Sequence, residues 1–287
     1  MMDTYLAYAS RGKNDWWRYL LTPILGLGLT IVTMTVIALV LILAHILPPN
    51  IAAEMQQPRY IAPFYLGIAA CFGLLTVCLA LAAFLVQRKR PSDIIGQWRP
   101  AFFVQGFLIW TCVQVVLTLS DFAIAPGGFS FSLNSGTALL AATALVGIAV
   151  QTFTEEFVFR GYVTQGLVLA FKKPLPAAIV SGLLFGALHI PNGTPQALNA
   201  AVFGIVCALI AIRTGGLALT FGLHLANNYF GAAIVVSGSD VFKGSPGLVT
   251  QTTPQLLWWD FSLGVVALLA IAWLVIRQSH FRAAPAA

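Results

Sequence analysis

The chain has 287 residues, of which 59% are hydrophobic and 8% are charged, and its formal net charge is +6. No soluble domain of this size could cover so much apolar surface, so the composition excludes a soluble globular protein and predicts a chain that lies mostly in lipid. The apolar runs are long and continuous, which excludes an outer-membrane β-barrel and predicts an all-α, polytopic bundle of transmembrane helices.

Eight apolar segments, each bounded by charged residues or by Pro and Gly, predict about eight membrane spans within a single integral membrane domain, 1–287. In chain order they are residues 20–47, 61–87, 101–120, 137–171, 175–189, 197–212, 217–236 and 257–276. The fourth segment is too long for one simple crossing, so we expect it to extend past the membrane, to tilt, or to break near Gly161 or Gly166.

The basic residues of the loops fall on alternate sides of the predicted bundle, and one side holds most of them. That side collects Arg11, Lys13, Arg18, Arg88, Lys89, Arg90, Arg99, Lys172, Lys173, Arg213, Arg277 and Arg282, and the other has Arg59 and Lys243. By the positive-inside rule the first side is cytoplasmic, which predicts that both termini are cytoplasmic. The net charge is then a topological signal that requires no nucleic-acid partner, and the expected location is a bacterial inner membrane.

Two adjacent glutamates, Glu155 and Glu156, lie inside the fourth predicted span. A carboxylate near the middle of a bilayer costs about 3 kcal/mol even on the scale derived from helix insertion, so such residues mark sites that require them. Arg160 follows Glu156 by four residues, which is the favourable order for an ion pair on a helix. If Arg160 neutralises Glu156, Glu155 remains as the less compensated carboxylate and is suited to act as a general base.

Two other predicted helices carry polar residues at the same four-residue spacing. Phe185 and His189 share a face of the fifth span, and His224 and Asn228 share a face of the seventh. At 1.5 Å per residue, Glu155, His189 and Asn228 lie about 22 to 25 Å from the basic ends of their helices. Three helices therefore place polar groups in one broad layer of the membrane.

Carboxylates, imidazoles and an amide in one buried layer fit the hydrolysis of a peptide bond. A carboxylate takes a proton from water, an imidazole holds that water, and His or Asn donors stabilise the oxyanion. Zinc bound by Glu155, His189 and His224 is the alternative way to activate the water, although the chain has no His-Glu-x-x-His helix. No Gly-x-Ser-x-Gly elbow supports a serine nucleophile.

The three motifs carry a family resemblance. Glu-Glu-x-x-x-Arg, Phe-x-x-x-His and His-x-x-x-Asn, in this order on successive membrane helices, resemble the CPBP (Abi) family of intramembrane proteases, which includes CAAX prenyl endopeptidases and bacteriocin-processing enzymes. The resemblance covers a protease core at residues 137–236. It implies that the partners are membrane lipid and a peptide or protein substrate, either a prenylated CAAX-type protein or a peptide precursor.

The resemblance also implies roles for the motif residues. Glu155 and His189 would activate the hydrolytic water, and His224 and Asn228 would serve the oxyanion or a metal. The supporting residues would be Glu156, Arg160 and Phe185, the last of which packs the wall of the site.

Other interpretations of the same residues stay open at this stage. Glu156 and Arg160 form an interior structural pair as readily as a catalytic one. A transporter also places Glu, His and Arg inside a bundle, but it predicts an inverted repeat, which the sequence lacks. A binding or immunity protein would keep the scaffold without cleaving a substrate. For an enzyme, we expect the water-accessible cavity to open toward the cytoplasm.

Overall fold

The computed structural model describes residues 3–46, 61–131, 136–237, 247–252 and 257–283. It is a polytopic helical bundle, as predicted, and each of the eight apolar segments contains a helix. The seventh, 217–236, forms a 12-residue α-helix and a π-helical turn, Phe230–Ile234, before it ends in a strand. The helices are α1 Asp3–Ala9, α2 Trp16–Leu43, α3 Ile61–Gln87, α4 Pro91–Ile95, α5 Pro100–Ile124, α6 Thr137–Phe171, α7 Pro174–Ala187, α8 Thr194–Thr214, α9 Ala218–Tyr229 and α10 Leu257–Arg277. The predicted end of the first span at Leu47 and the basic residues Arg59 and Lys243 lie outside the described residues.

Six helices of the described chain are long and apolar enough to cross a membrane, namely α2, α3, α5, α6, α8 and α10. The helix α7 is apolar but shorter, with 14 residues. Large hydrophobic side chains are exposed on the outside of the bundle, including Ile24, Ile31 and Val266, each more than 60% exposed. Lipid is the solvent that suits such a surface, so the chain is an integral membrane protein.

The long helix α6 does not break at Gly161 or Gly166, which differs from one of the expectations for this segment. Its middle, Phe157–Val163, instead widens into π-helix and then returns to α-helix. The turn contains Gly161, where a Cβ atom would meet Cγ2 of Ile94 at 2.6 Å. The widened turn lets α6 stay continuous while its backbone packs closely against α4, directly after the two glutamates.

Helix α9 lies at the centre of the bundle and packs closely against α5. A Cβ atom on Gly106 would lie 2.2 Å from the Leu219 carbonyl oxygen, and one on Gly222 would lie 2.2 Å from the Phe103 carbonyl oxygen. Small residues thus let the two backbones touch, as is common between membrane helices. The close contact fixes the rotation of α9, and hence the direction in which its polar residues point.

A small three-stranded sheet forms in the segments that join the helices at one end, which the all-α prediction did not include. Its strands are β1 Phe129–Phe131, β2 Val235–Ser237 and β3 Val249–Gln251. The central strand β3 pairs antiparallel with β1 and parallel with β2. The sheet follows the end of α5 and therefore closes the end of the bundle opposite to Pro100.

The basic segments meet at the other end of the bundle. The amide of Lys13 donates to the Gln87 carbonyl at 2.6 Å, and the amide of Ala283 donates to the Arg213 carbonyl at 3.2 Å. Lys89 is fully buried here and donates to the carbonyl of Ala9. Burial lowers the pKa of Lys89 from 10.5 to about 8, although nearby Asp93 acts in the opposite direction.

The short helix α1 packs into this basic end. Its Tyr5 is 1% exposed and donates a hydrogen bond to the carbonyl of Arg160, within the π-helical turn of α6. Tyr5 also packs against Val168 and Leu217 from α6 and from the segment before α9. The N-terminal helix is therefore part of the folded bundle and contacts the helix that carries the two glutamates.

Candidate active site

A cavity of about 730 Å³ lies within the bundle. Five residues of the three motifs line it, namely Glu155, Phe185, His189, His224 and Asn228. Glu156 and Arg160 are fully buried and do not line it. The structure thus brings the predicted site residues of α6, α7 and α9 together around one space.

The cavity extends toward the sheet end of the bundle. Its lining includes Gln251 of β3 and Asp260 of α10, whereas no residue of the described basic loops lines it. The lining therefore continues toward the sheet end, and the expected opening toward the cytoplasm stays a prediction.

Glu156 and Arg160 form the ion pair that their spacing predicts. The Arg160 Nη1 and Glu156 Oε1 atoms are 3.3 Å apart, and both side chains are 0% exposed. The guanidinium also lies over the Phe185 ring, 4.3 Å from its centroid, in a cation–π contact. Arg160 thus compensates the charge of the deeper glutamate and supports the wall of the cavity through Phe185.

His224 connects the two glutamates. Its Nδ1 atom is 2.8 Å from Oε1 of Glu156, and its Nε2 atom is 3.3 Å from Oε2 of Glu155. A carboxylate oxygen accepts, so Nδ1 carries the hydrogen of the shorter contact. The imidazole is therefore hydrogen-bonded to Glu156 across the α6 and α9 interface, and it forms an ion pair with Glu155 when it is protonated on both nitrogens.

Glu155 differs from its neighbour because 16% of its side chain is exposed, and it faces the cavity. Its Oε1 atom accepts a hydrogen bond from Gln151 Nε2 at 2.6 Å, one helical turn earlier. The Gln151 Oε1 atom accepts in turn from Asn228 Nδ2 at 3.3 Å. Gln151 therefore orients the exposed carboxylate and links it to the predicted oxyanion residue.

A second layer of polar groups orients Asn228. Its Oδ1 atom accepts from Asn227 Nδ2 at 2.9 Å. The Asn227 Oδ1 atom accepts from Trp110 Nε1 at 3.0 Å and from Gln114 Nε2 at 3.2 Å. Sequence reasoning missed Gln151, Trp110 and Gln114. Only Gln151 carries a local signal, its four-residue spacing from Glu155, while the two residues of α5 reach the site through helix packing alone.

His189 lies in the turn that follows α7. Its Nδ1 atom is 2.8 Å from the Phe185 carbonyl oxygen, and its ring packs on the Phe185 ring with centroids 4.6 Å apart. Because a carbonyl oxygen only accepts, Nδ1 carries the hydrogen, and the neutral ring has its lone pair on Nε2. The four-residue spacing thus lets the Phe185 carbonyl bind Nδ1–H of His189, which leaves Nε2 as a hydrogen-bond acceptor at the cavity wall.

The predicted zinc ligands do not form a recognisable metal centre. Among the residues that the structure describes, no three His, Cys, Asp or Glu side chains are grouped so that they could hold a metal ion. We therefore derive no catalytic step through a metal bound by Glu155, His189 and His224. A requirement for zinc stays a prediction, which metal analysis of the purified protein tests.

Comparisons with known proteins agree with this geometry. Residues 137–230 match the family described as type II CAAX prenyl endopeptidase Rce1-like. The chain is also 30% identical over 271 residues to the uncharacterized protein YyaK of Bacillus subtilis (strain 168), which covers 87% of this chain and 88% of YyaK. No solved structure matches the chain. The family match contains all three motifs and confirms the resemblance, so the chain belongs to the Rce1-like family of CAAX-type intramembrane proteases.

Proposed function

We propose that the protein is an endopeptidase that hydrolyses peptide bonds of membrane-associated or lipidated, CAAX-type proteins or of peptide precursors. The observation that carries the proposal is the contrast between the two glutamates. Glu156 is fully buried and paired with Arg160, whereas Glu155 reaches the cavity and is oriented by Gln151 and His224. A base must meet its substrate, and this contrast supports assigning the role of the base to Glu155.

In the proposed reaction, Glu155 takes a proton from water while the water oxygen attacks the carbonyl carbon of the scissile bond. The C–N bond then breaks, and the proton held by Glu155 passes to the leaving amine. His189 Nε2 is assigned to hold the water. We assign the oxyanion to Asn228, through the N–H groups of Nδ2, and to His224, which donates from Nε2 when its ring is protonated on both nitrogens; the two atoms are 3.4 Å apart on one face of α9.

The surroundings of the cavity support a substrate that arrives through lipid. One wall consists of apolar residues of α2 and α3, including Pro23, Leu27 and Leu75. The helix α2 is largely exposed on the outside of the bundle, because only 6% of the residues in its most apolar 18-residue stretch are buried. A lipid chain or an apolar peptide segment could therefore lie along this wall. The location that we propose is the bacterial inner (plasma) membrane, and the Bacillus relative is consistent with it.

The test is cleavage of a peptide library, including prenylated peptides, by the detergent-purified protein and its Glu155→Gln variant. We expect the wild type to cleave and the variant to lose cleavage while it keeps its thermal stability. Asp15→Asn serves as the control, because Asp15 is an exposed carboxylate paired with Arg18 outside the cavity. Zinc content measured on the same samples shows whether the water is metal-bound.

Full activity in Glu155→Gln would remove Glu155 as the base. A folded wild type that cleaves no peptide would favour the alternative of a non-catalytic binding or immunity protein. Transport of a substrate across vesicles by such a protein would instead favour a proton-coupled transporter.

A further inference from the structure

A pair of aspartates lies in the same cavity, at a distance from the motif residues. Asp121 belongs to the last turn of α5 and Asp260 to the first turns of α10, and both line the cavity. Trp259 Nε1 donates to Ser120 Oγ at 3.3 Å, so the residues that directly precede Asp260 and Asp121 are in contact, and the two carboxyl groups lie within reach of each other. Asp121 is only 5% exposed. The apolar helices therefore hold two acidic groups side by side at the sheet end of the bundle.

One hydrogen-bond donor reaches this pair from a described residue of another type. Gln251 Nε2 of β3 donates to Asp121 Oδ2 at 3.2 Å. The Oδ1 atoms of Asp121 and Asp260 are buried and have no hydrogen-bond partner among the described residues. The described ion pairs of the chain involve other carboxylates and leave these two without a Lys, Arg or His. Asp121 is thus a nearly fully buried acid with an unpartnered oxygen at the wall of a cavity.

Two adjacent carboxylates out of bulk water repel each other unless they share a proton or a cation lies between them. Ammonium and guanidinium groups are the cations that a peptide offers, and they carry several N–H donors for carboxylate oxygens. The unpartnered oxygens supply the matching acceptors. The chemistry of this end of the cavity therefore suits a positively charged side chain.

We propose that Asp121 and Asp260 form a subsite that binds a Lys or Arg side chain of a peptide held in the cavity. The proposal rests on the proposed function, and it adds a charge preference to the substrate. Gln251 holds one carboxylate in place from the sheet. A free carboxylate of the substrate would be repelled at this end of the cavity.

The distance from the motif residues limits where the basic residue can lie. Gln114 contacts Asn227 beside the site, and Asp121 is seven residues further along α5, on the same cavity wall. Seven residues of helix span about 10 Å. An extended peptide covers this distance in about three residues. The subsite therefore selects a basic residue about three positions from the scissile bond.

The experiment compares peptides that carry Lys at successive positions on both sides of the scissile bond with the same peptides carrying Met. We expect kcat/KM of the wild type to favour Lys by about tenfold or more at one position near the third residue. The Lys to Met ratio should fall to about one in Asp121→Asn and in Asp260→Asn. It should persist in the control Asp15→Asn.

A wild type without a positional preference for Lys would overturn the subsite, as would a preference that both Asn variants retain. Either result would mean that the two aspartates only share a proton. If the wild type cleaves nothing, the proposed function fails, and the subsite is then tested by binding of fluorescent Lys and Met peptides. Tighter binding of the Lys peptide that is lost in both Asn variants supports the subsite, and equal binding overturns it.

Discussion

The buried ion pair of α6 yields a quantitative prediction that separates structural support from chemistry. Glu156 and Arg160 are both 0% exposed, with charged atoms 3.3 Å apart. Replacing Arg160 by Met keeps much of the volume but leaves Glu156 as a buried charge without its cation. Removing one partner of such a pair costs about 3 to 5 kcal/mol, so we expect Arg160→Met to lower the free energy of unfolding by this amount.

The double variant Glu156→Gln with Arg160→Met removes both charges. The Gln side chain still offers a carbonyl oxygen to Nδ1–H of His224, so the hydrogen bond across α6 and α9 can persist. We therefore expect the double variant to recover more than half of the stability that Arg160→Met loses. The measurement is unfolding in mixed micelles of a mild detergent and dodecyl sulfate, followed by tryptophan fluorescence, for all four members of the cycle.

The cycle also distinguishes the two interpretations of Glu156. If Glu156 mainly compensates Arg160, the double variant should regain cleavage along with stability. A double variant that is stable but inactive would show that Glu156 takes part in the chemistry together with Glu155. A loss of less than about 1 kcal/mol of unfolding free energy in the single variant Arg160→Met would refute the argument from burial, because an uncompensated charge in an apolar core is expected to cost more than this.

Two further predictions concern orientation and pH. Gln151→Leu should lower kcat by about 10- to 100-fold with little change in KM, because Glu155 loses its 2.6 Å hydrogen bond and its link to Asn228. The matched control is Gln105→Leu, because Gln105 lies near the start of α5 beside His280 and does not line the cavity. Equal kcat in the two variants would contradict the role of Gln151. The pKa of Lys89 in the folded chain is about 8, below its ordinary value of 10.5. Between pH 8 and pH 10.5 the unfolded chain therefore binds a proton at Lys89 that the folded chain has lost, and the free energy of unfolding should rise with pH in this range. Relative to Lys89→Met, the wild type should gain about 1 to 3 kcal/mol of unfolding free energy between pH 8 and pH 10.5, measured by thermal unfolding of both proteins. An equal change of stability with pH in the two proteins would refute the assignment.

The sequence predicted the parts of the site that depend on one helix at a time. Glu156 and Arg160 pair, and Phe185 contacts His189, because a four-residue spacing places side chains on one face whatever the helix packs against. The order of the motifs and the alternation of basic loops likewise follow from segment counting. These features need no knowledge of how the helices are rotated.

The rest of the site depends on contacts between helices, which the sequence does not encode locally. The approach of His224 to both glutamates requires the rotation of α9 that Gly106 and Gly222 permit. Trp110 donates a hydrogen bond to Asn227, which is 117 residues away in the sequence. The sheet strands have three residues each, too few for a periodic pattern.

The position of the aspartate pair connects the topology with the chemistry. Asp121 and Asp260 stand at helix ends, where an acidic residue is expected to face solvent, yet both line the cavity, and Gln251 of the sheet binds Asp121. The basic loops pack together at the opposite end with α1. Among the described residues, the cavity therefore carries acidic groups toward the sheet end, and the basic loops lie at the opposite end of the bundle. A peptide with a basic residue is attracted to the acidic end and repelled from the basic end, so the distribution of charge favours the same substrate class as the subsite.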